Sequence, residues 1–267
     1  MKLLSGSELA GFIKQRHAQQ VKALRAQKIF PKLAIVQVKD DPVINTYVQL
    51  KQNYGDDVGV GVEIHRLPQA DAPELLSKLS NDRTINGIIV QLPLEDPSQT
   101  EEIVNLVAPE KDVDALGQVP RFEPATPMAI LWLLSGYGID LAGRQILLIG
   151  KGKLVGAPLE KILKKGGYRV EVVDKSVDSL ASYTKEADII ITATGSPAIL
   201  YPDMIKQGAV VVDAGVASES GKTVGDLSPE VYQRDDLTIT PEKGGVGPLT
   251  VCALFENVIR AAQDVKH

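Results

Sequence analysis

Cysteine and histidine are scarce in this chain of 267 residues, with one cysteine and three histidines. Cys252 has no second cysteine with which to form an internal disulfide, which predicts a cytoplasmic protein with this small side chain in its core. His17, His65 and His267 are scattered and have no partner at the spacing of metal ligands. The sequence therefore predicts no metal site.

Long hydrophobic runs and blocks of basic residues are also missing. The apolar runs have the length of strands, so no bilayer span is expected, and the N-terminus lacks the apolar core and cleavage site of an export signal. A net charge of −5 argues against nucleic acid or an anionic membrane as the main partner. A hydrophobic content of 44% is enough for a full core in one or two domains.

The clearest chemistry-bearing stretch covers residues 145–158, Gln-Ile-Leu-Leu-Ile-Gly-Lys-Gly-Lys-Leu-Val-Gly-Ala-Pro. A short apolar run meets Gly150 and Gly152, which predicts a buried parallel strand and a tight turn, and a helical pattern begins at Gly156. Free N–H groups and the positive end of the helix dipole suit a phosphate there. The spacing GxGxxxG indicates a nucleotide site, with an ordinary structural turn as the alternative.

Apolar runs and helical patterns alternate along the chain, which predicts an α/β protein with parallel sheets. Helices are expected from Ser7 as cap to about residue 28, at 42–58 before Gly59, and near 75–79, 100–107, 127–134 and 248–262. Strands are expected at 33–38, from 62, and at 87–93, 145–149, 169–174, 188–192 and 209–213. Residues 115–123 have no period and form the expected hinge.

This pattern predicts two lobes. The first, residues 1–118 with 248–267, is an α/β substrate lobe to which the C-terminal helix returns. The second, residues 119–247, is a doubly wound Rossmann-type nucleotide lobe. We expect a substrate site in the cleft between them.

Four polar or aromatic residues of the first lobe stand out. Tyr47 and Lys51 are four residues apart on a predicted helix and share one face. Gln91 ends a buried strand, where ligands bind in open α/β sheets, and Asp114 closes the lobe. Taken singly, each has a plainer interpretation: a solvated lysine, a core aromatic, a strand-end cap and a turn residue.

Taken together and in order, these residues resemble the bifunctional methylenetetrahydrofolate dehydrogenase/cyclohydrolase family, over nearly the whole chain. The resemblance rests on Tyr47-Val48-x-x-Lys51, residues 87–94 ending in Gln-Leu-Pro-Leu, residues 109–114, Thr126-Pro127, residues 150–158, residues 213–216, Gly225-Asp226, Thr240-Pro241 and residues 244–250.

The resemblance implies that a methylene bridge on tetrahydrofolate is oxidised by hydride transfer to a nicotinamide, and that water then opens the methenyl product. It gives Lys51 the central acid/base and charge-positioning role, with help from Gln91, while Tyr47 stacks on the folate and Asp114 holds the pterin. A lysine destabilised by burial can exchange a proton near neutral pH. The implied substrate-binding residues are Tyr47, Gln91, Leu92, Pro93, Asp114, Pro248 and Thr250, and the implied assembly is a homodimer.

The resemblance also implies NADP or NAD as cofactor. The implied contacts are Gly150, Lys151, Gly152, Val155, Gly156, Asp174, Lys175 and Val216. NADP is usual among similar bacterial proteins, and Lys151, Lys153 and Lys175 could face its 2′-phosphate. Asp174, however, follows Gly150 by a little over twenty residues, where an acidic side chain holds the 2′-hydroxyl of NAD, or merely caps the strand end. The sequence leaves both cofactors open.

Several residues depart from the family pattern. Ile44 stands where a serine is usual, Asn53 where a lysine is usual and Ala115 where a glycine is usual, and residues 115–126 form a shortened loop. Lys151-Gly152 replaces Arg-Ser in the phosphate turn. Ile44, Asn53, Ala115 and the shortened loop are expected on or near the wall of the Lys51 pocket. Because hydration needs a placed water and a tuned lysine, these changes predict that cyclohydrolase activity is weakened more than dehydrogenase activity.

Two other functions remain as alternatives at this point. A dehydrogenase of a shikimate- or amino-acid-like substrate would share the glycine turn but would not need Gln91 and Asp114. A degenerate, non-enzymatic nucleotide-binding protein would explain the altered residues but not the retention of Lys51.

Overall fold

The computed structural model describes residues 1–174, 176–219 and 222–264. Within them the helices are α1 (Gly6–Ala26), α2 (Pro42–Val58), α3 (Ala72–Asn81), α4 (Thr100–Val104), α5 (Ala125–Gly136), α6 (Gly156–Lys165), α7 (Leu180–Thr184) and α8 (Val246–Gln263). The strands are β1 (Lys2–Leu3), β2 (Lys32–Gln37), β3 (Gly61–Arg66), β4 (Gly87–Val90), β5 (Ile146–Ile149), β6 (Val170–Val173), β7 (Ile189–Thr192), β8 (Val210–Asp213), β9 (Ala217–Glu219), β10 (Lys222–Val224) and β11 (Thr238–Ile239). The alternation confirms the α/β class.

The chain divides into two compact units. The three-stranded unit consists of Gly11–Ala125 and the chain from Val251 on, and the six-stranded unit consists of Met1–Ala10 and Thr126–Thr250. The sequence-based division differs from these units at residues 1–10, 119–125 and 248–250, each of which it assigns to the other lobe. Residues 1–10 belong to the six-stranded unit because β1 pairs with β11.

The three-stranded unit has a parallel sheet in the order β3-β2-β4. The central strand β2 is covered on both faces, which explains its continuous apolar sequence. One face packs on a core that includes Val36, Val90 and Leu76 of α3. The opposite face is where α2 packs: the α carbon of Gly55 approaches Val62 so closely that an added Cβ would overlap its side chain.

The main sheet of the six-stranded unit has the strand order β1-β11-β8-β7-β5-β6, and all neighbouring strands in it are parallel. Strands β9 and β10 form a separate antiparallel pair. Strand β5 lies between β6 and β7, so the strand order reverses beside it. In doubly wound sheets, ligands bind at the carboxyl ends of the strands at such a reversal. The predicted doubly wound sheet is confirmed, and the residue 150 turn lies at this edge.

Two predicted helix ends are wrong. Ser7 lies inside α1, and the hydroxyl of Ser5 accepts from the backbone N–H of Glu8 at 3.3 Å, so Ser5 supplies the cap. Helix α4 ends at Val104 rather than near residue 107. At this end the Asn105 side chain donates to the backbone carbonyl of Glu101 at 2.6 Å and competes with the helical hydrogen bond.

Cys252 is buried, as the sequence predicts, and burial raises the pKa of its thiol. His17 is also buried, with its ring nitrogens 2.9 Å from the Tyr54 hydroxyl and 2.9 Å from a Glu256 carboxylate oxygen. These bonds join α1, α2 and α8. Across the residues that the structure describes, no cluster of His, Cys, Asp and Glu fits a metal ion, and no helix is long and apolar enough to cross a membrane.

Candidate functional site

Helix α2 presents two of the predicted catalytic residues, and its ends follow from local sequence. The Asp41 carboxylate accepts from the backbone N–H groups of Val43 and Ile44 at 2.8 and 3.2 Å, and Pro42 occupies the first helical position. Gly59 ends the helix in the left-handed region, at a φ of 84°. The predicted limits of this helix are confirmed.

Lys51 and Gln91 are brought together. Lys51 Nζ donates to Gln91 Oε1 at 2.6 Å. The backbone N–H of Gln91 donates to the Val36 carbonyl, and its side-chain Nε2 donates to the Leu92 carbonyl, each at 2.9 Å. These bonds fix the amide with its oxygen turned to the lysine. The strand end therefore provides a neutral, oriented acceptor for Lys51.

Lys51 and Asp114 act on each other electrostatically. Burial lowers the pKa of Lys51, and the negative charge of Asp114 opposes this shift. Burial raises the pKa of Asp114, which the charge of Lys51 opposes and the neighbouring Asp112 reinforces. The charged forms of both groups are thus less favoured than in water, and a proton can be exchanged at Lys51 closer to neutral pH.

The segment that ends in Asp114 is held by buried polar groups. The Asp112 carboxylate accepts from the backbone N–H groups of Leu116 and Gly117 at 3.3 and 2.8 Å. The Asn257 side chain of α8 donates to the Val113 carbonyl at 2.9 Å. Sequence reasoning missed Asp112 and Asn257, although the acidic pair at 112 and 114 was visible.

Ala115 adopts a φ of 56°, in the left-handed region where glycine has no steric cost. This backbone conformation explains why a glycine is the usual residue here. Replacing Ala115 with glycine is expected to raise the free energy of unfolding by about 0.5 to 1 kcal/mol, because the relief of strain exceeds the entropy that glycine adds to the unfolded chain. Urea denaturation measures the change.

The matched control for that substitution is Ala142→Gly, at an exposed alanine outside the left-handed region. At that position glycine adds entropy to the unfolded chain but relieves no backbone strain in the folded state, so a small loss of stability is expected. Equal losses in the two variants would contradict the explanation.

The remaining predicted residues of this unit lie near the pair. Tyr47 is half-buried one turn before Lys51 on the same face of α2, Leu92 is half-buried and Pro93 is exposed. The Leu92–Pro93 peptide bond is cis, which the sequence pattern did not indicate.

Two of the unusual residues of α2 behave differently. Ile44 is buried, at 4% exposure, on the face that carries Tyr47 and Lys51. Asn53 is exposed and accepts from the Gln49 side chain at 2.8 Å. Two residues along a helix correspond to about 200° of rotation, so the prediction that Asn53 shares a wall with Lys51 is wrong.

The glycine turn of the six-stranded unit joins β5 to α6 as predicted. Gly150 has a φ of 116°, and a Cβ there would lie 2.5 Å from the Ala193 carbonyl oxygen. A Cβ at Gly156 would overlap the Gly150 carbonyl. Around Gly152, by contrast, no described protein atom lies within 4 Å of an added Cβ, so the exposed turn is open to a ligand. Val155 precedes α6 and is half-buried.

Asp174 lies at the carboxyl end of β6, beside β5. One of its oxygens, Oδ1, accepts from the backbone N–H of Ser176 at 2.9 Å and from the Ser176 hydroxyl. These bonds lower the pKa of Asp174, and the positive charge of Lys151 acts in the same direction. Lys151 is exposed, and Lys175 lies outside the described residues. The strand-end cap considered from the sequence is therefore present on Oδ1.

Two buried carboxylates hold the loops that follow β7 and β8. Asp226 is fully buried and accepts from the backbone N–H groups of Thr194 and Ser196 at 2.8 and 3.0 Å. Asp213 accepts from the backbone N–H groups of Gly215 and Asp226 at 2.9 and 3.0 Å.

Burial raises the pKa of Asp213, although the backbone donors oppose the shift. A Cβ at Gly215 would overlap the Asp226 carboxylate, and a Cβ at Gly225 would overlap Asp213. The exposed Val216 is thus displayed by a tightly packed loop at the ligand edge of the sheet. Sequence reasoning noted these motifs but missed the anchoring function of both acids.

Pro248 and Thr250 lie in the first turns of α8 and are half-buried. The Thr250 hydroxyl donates to the Val246 carbonyl at 3.4 Å and lies 3.5 Å from the Thr126 hydroxyl. Both residues fall in the six-stranded unit. Their predicted contact with substrate stays a prediction.

Comparison with known proteins gives the same picture over both units. Residues 4–114 match the tetrahydrofolate dehydrogenase/cyclohydrolase catalytic domain, and residues 124–266 match the tetrahydrofolate dehydrogenase/cyclohydrolase NAD(P)-binding domain. The bifunctional protein FolD of Helicobacter hepaticus is 38% identical over 98% of this chain and 96% of its own length.

Solved structures extend the likeness to three dimensions. The bifunctional enzyme FolD of Campylobacter jejuni has a TM-score of 0.93 and 35% identity, over 99% of each chain. A Trypanosoma brucei methylenetetrahydrofolate dehydrogenase-cyclohydrolase complexed with NADP has a TM-score of 0.92 and 27% identity, over 98% of this chain and 97% of its own.

Both domains match in chain order, the identity extends along the full length, and the lysine that the motif singles out meets its glutamine in the fold. The chain belongs to the tetrahydrofolate dehydrogenase/cyclohydrolase family.

Proposed function

We propose that the chain oxidises 5,10-methylenetetrahydrofolate to 5,10-methenyltetrahydrofolate with NAD(P), and hydrolyses the product to 10-formyltetrahydrofolate. The observation that carries the proposal is the 2.6 Å bond between Lys51 Nζ and Gln91 Oε1, beside a half-buried Asp114. The alternative functions are not favoured. Another dehydrogenase would also use the glycine turn, but its reaction would not need Lys51, Gln91 and Asp114 together.

The hydration step uses Lys51 as a proton carrier. Water attacks the cationic methenyl carbon, a C–O bond forms, and the neutral lysine amine takes the released proton. When the bond from that carbon to N5 breaks, the lysine returns a proton to N5, and the remaining hydroxyl proton leaves to solvent. Gln91 holds the amine in place during both transfers, because its oxygen is fixed by its own bonds.

The folate is held by neighbours of the lysine. Asp114 can accept from the paired N–H groups of an aminopyrimidine edge, and the half-buried ring of Tyr47 offers a flat face to the folate. Leu92, Pro93, Pro248 and Thr250 remain proposed contacts.

The nucleotide residues fit a dinucleotide. The open turn at Gly152 and the start of α6 present backbone N–H groups to a pyrophosphate. When bound, the nicotinamide supplies the acceptor for the hydride of the methylene carbon. We propose NAD as the preferred cofactor, because Asp174 is ionised at the carboxyl end of β6 and its second oxygen can accept from a ribose hydroxyl.

Replacing Asp174 with serine is therefore expected to raise the ratio of kcat/KM for NADP to kcat/KM for NAD several-fold. The change follows because it removes a like-charge contact with the 2′-phosphate of NADP. Steady-state kinetics with each cofactor measures the ratio. Glu171→Ser removes a charge from an exposed position on the same strand and should leave the ratio unchanged. An unchanged ratio in Asp174→Ser would mean that the carboxylate only caps the strand.

We further propose that hydrolysis is the weaker of the two activities. Ile44 places a buried hydrocarbon on the face of α2 that carries Lys51, where a hydroxyl is usual. Measuring both activities on one preparation, and again after Ile44→Ser, tests the function and the balance together. Hydrolysis that outpaces oxidation and ignores the restored hydroxyl would contradict the imbalance. A folded wild-type protein that shows neither activity would contradict the proposed function.

A homodimer in the cytoplasm completes the proposal. The single, buried cysteine suits a reducing compartment. Strand β3 ends the three-stranded sheet, and an edge strand is a ready surface for pairing with a second copy.

A further inference from the structure

Gln37, the last residue of β2, is a buried amide that is only half satisfied. It is 2% exposed, and its Nε2 donates to the Lys39 carbonyl at 2.9 Å and to Asn45 Oδ1 at 2.7 Å. Its Oε1 is buried and has no hydrogen-bond partner among the described residues. The Lys39 carbonyl can only accept, so the orientation of the amide is fixed.

This oxygen belongs to the same face of the sheet as the Lys51 acceptor. Val36 of β2 is in register with Val90 of β4, so Gln37 and Gln91 follow as neighbours on adjacent strands, about 4.8 Å apart. Residues in register on parallel strands point to the same face. The two amides therefore lie side by side beneath α2, and Gln37 is tied to the first turns of that helix through Asn45.

A donor that approaches this oxygen within the buried layer is bound favourably. A buried acceptor without a partner is costly, and an atom closed to solvent cannot be satisfied by bulk water. Lys51 reaches this layer from α2, and an ammonium has three N–H donors, of which one serves Gln91.

We propose that Gln37 is a positioning residue of the Lys51 site, whose free carbonyl oxygen is the second amide acceptor for Lys51 Nζ, beside Gln91. In this structure the ammonium donates to Gln91, and the lysine can turn from that oxygen to the Gln37 oxygen as it exchanges a proton. The catalytic role of the Gln37–Lys51 pairing rests on the proposed function, whereas the existence of the pairing is independent of it.

The charged and titratable groups around this layer set the background for a test. They are Asp114 beside Lys51, Asp112 beside Asp114, Tyr47 and Tyr54 on α2, Arg66 on β3, and Lys39 and Asp40 before α2. Each of them is retained when Gln37 alone is changed, so a shift at Lys51 reports on Gln37.

The test is NMR titration of full-length protein carrying ¹³Cε-labelled lysine, with the Lys51 resonance assigned by its loss in Lys51→Met. Gln37→Glu keeps the length of the side chain but replaces the Nε2 donor, which serves the Lys39 carbonyl and Asn45 Oδ1, with an oxygen. In a folded variant, a carboxylate beside the amine should raise the pKa of Lys51 by about one to two pH units. Gln37→Met removes the acceptor and should lower that pKa. Gln69→Met makes the same change at a buried glutamine bonded to Gln99 and Asp96, and should leave it unchanged.

An unchanged Lys51 titration in folded Gln37→Met would overturn the proposal. If Gln37→Met does not fold, Gln37→Leu removes the same acceptor and decides. Hydrolysis rates measured on the same samples separate the two claims. A Lys51 titration that moves while the pH profile of hydrolysis stays in place supports the pairing and contradicts the assignment of Lys51 as proton carrier. A pH profile that disappears with Lys51→Met, together with a Lys51 titration that neither Gln37 variant moves, supports Lys51 as proton carrier and overturns the pairing.

Discussion

Replacing Lys51 with methionine is expected to slow the hydrolysis of methenyltetrahydrofolate by about 10²- to 10⁴-fold, the usual contribution of a positioned acid or base. Methionine keeps most of the apolar stem but has no charge and no exchangeable proton. Stability should change little, because the substitution removes a group whose burial disfavours its charged form. A stopped-flow assay of the disappearance of the methenyl absorbance measures the rate.

The matched control is Lys22→Met, an exposed lysine of α1, which should retain the wild-type rate. Thermal unfolding of both variants shows whether the fold persists. Hydrolysis at the wild-type rate in a folded Lys51→Met protein would remove Lys51 from the mechanism.

The largest loss of stability is expected from Asp226→Ala. The substitution removes both acceptors of the Thr194 and Ser196 N–H groups in a fully buried site. Each stranded donor costs about 1 to 3 kcal/mol, so the free energy of unfolding of the six-stranded unit should fall by about 3 to 5 kcal/mol. Asp226→Asn retains one acceptor oxygen and should lose less. Urea denaturation measures both.

Asp203→Ala provides the control, because that carboxylate is exposed in the same unit and its loss should cost less than about 0.5 kcal/mol. A second readout follows from the loops themselves. Loosening the segments after β7 and β8 should raise KM for the nicotinamide cofactor more than it lowers kcat. An Asp226→Ala protein within 1 kcal/mol of wild type would show that the buried carboxylate is not an anchor.

The parts of the fold that were predictable are those whose causes are local. Asp41-Pro42 and Gly59 mark α2 because capping and left-handed termination depend on a few neighbouring residues. The glycine turn after β5 was predictable for the same reason. The meeting of Lys51 with Gln91 needed one further rule, that ligand-binding groups collect at the carboxyl ends of parallel strands.

The parts that were not predictable depend on distant contacts. Strand β1 has two residues and pairs with β11 more than two hundred residues later, so no local sequence pattern predicts it. The anchoring by Asp226 depends on loops about thirty residues away. Gln37 reads as one more residue of an apolar strand, and only the register with β4 places it beside Gln91. Asn53 was expected near Lys51 because the two residues are close in sequence. Two residues along a helix differ by about 200° of rotation, so Asn53 points away from the face that carries Lys51.

The central claim is that Lys51 exchanges the proton of the hydration step, and the pH dependence of hydrolysis tests it most directly. Burial lowers the pKa of Lys51, so the neutral amine that accepts the proton increases as pH rises through that lowered value. After subtraction of the rate without protein, wild-type hydrolysis should fall as pH falls below it, and Lys51→Met should show no such dependence. The same pH dependence in both proteins would contradict the account.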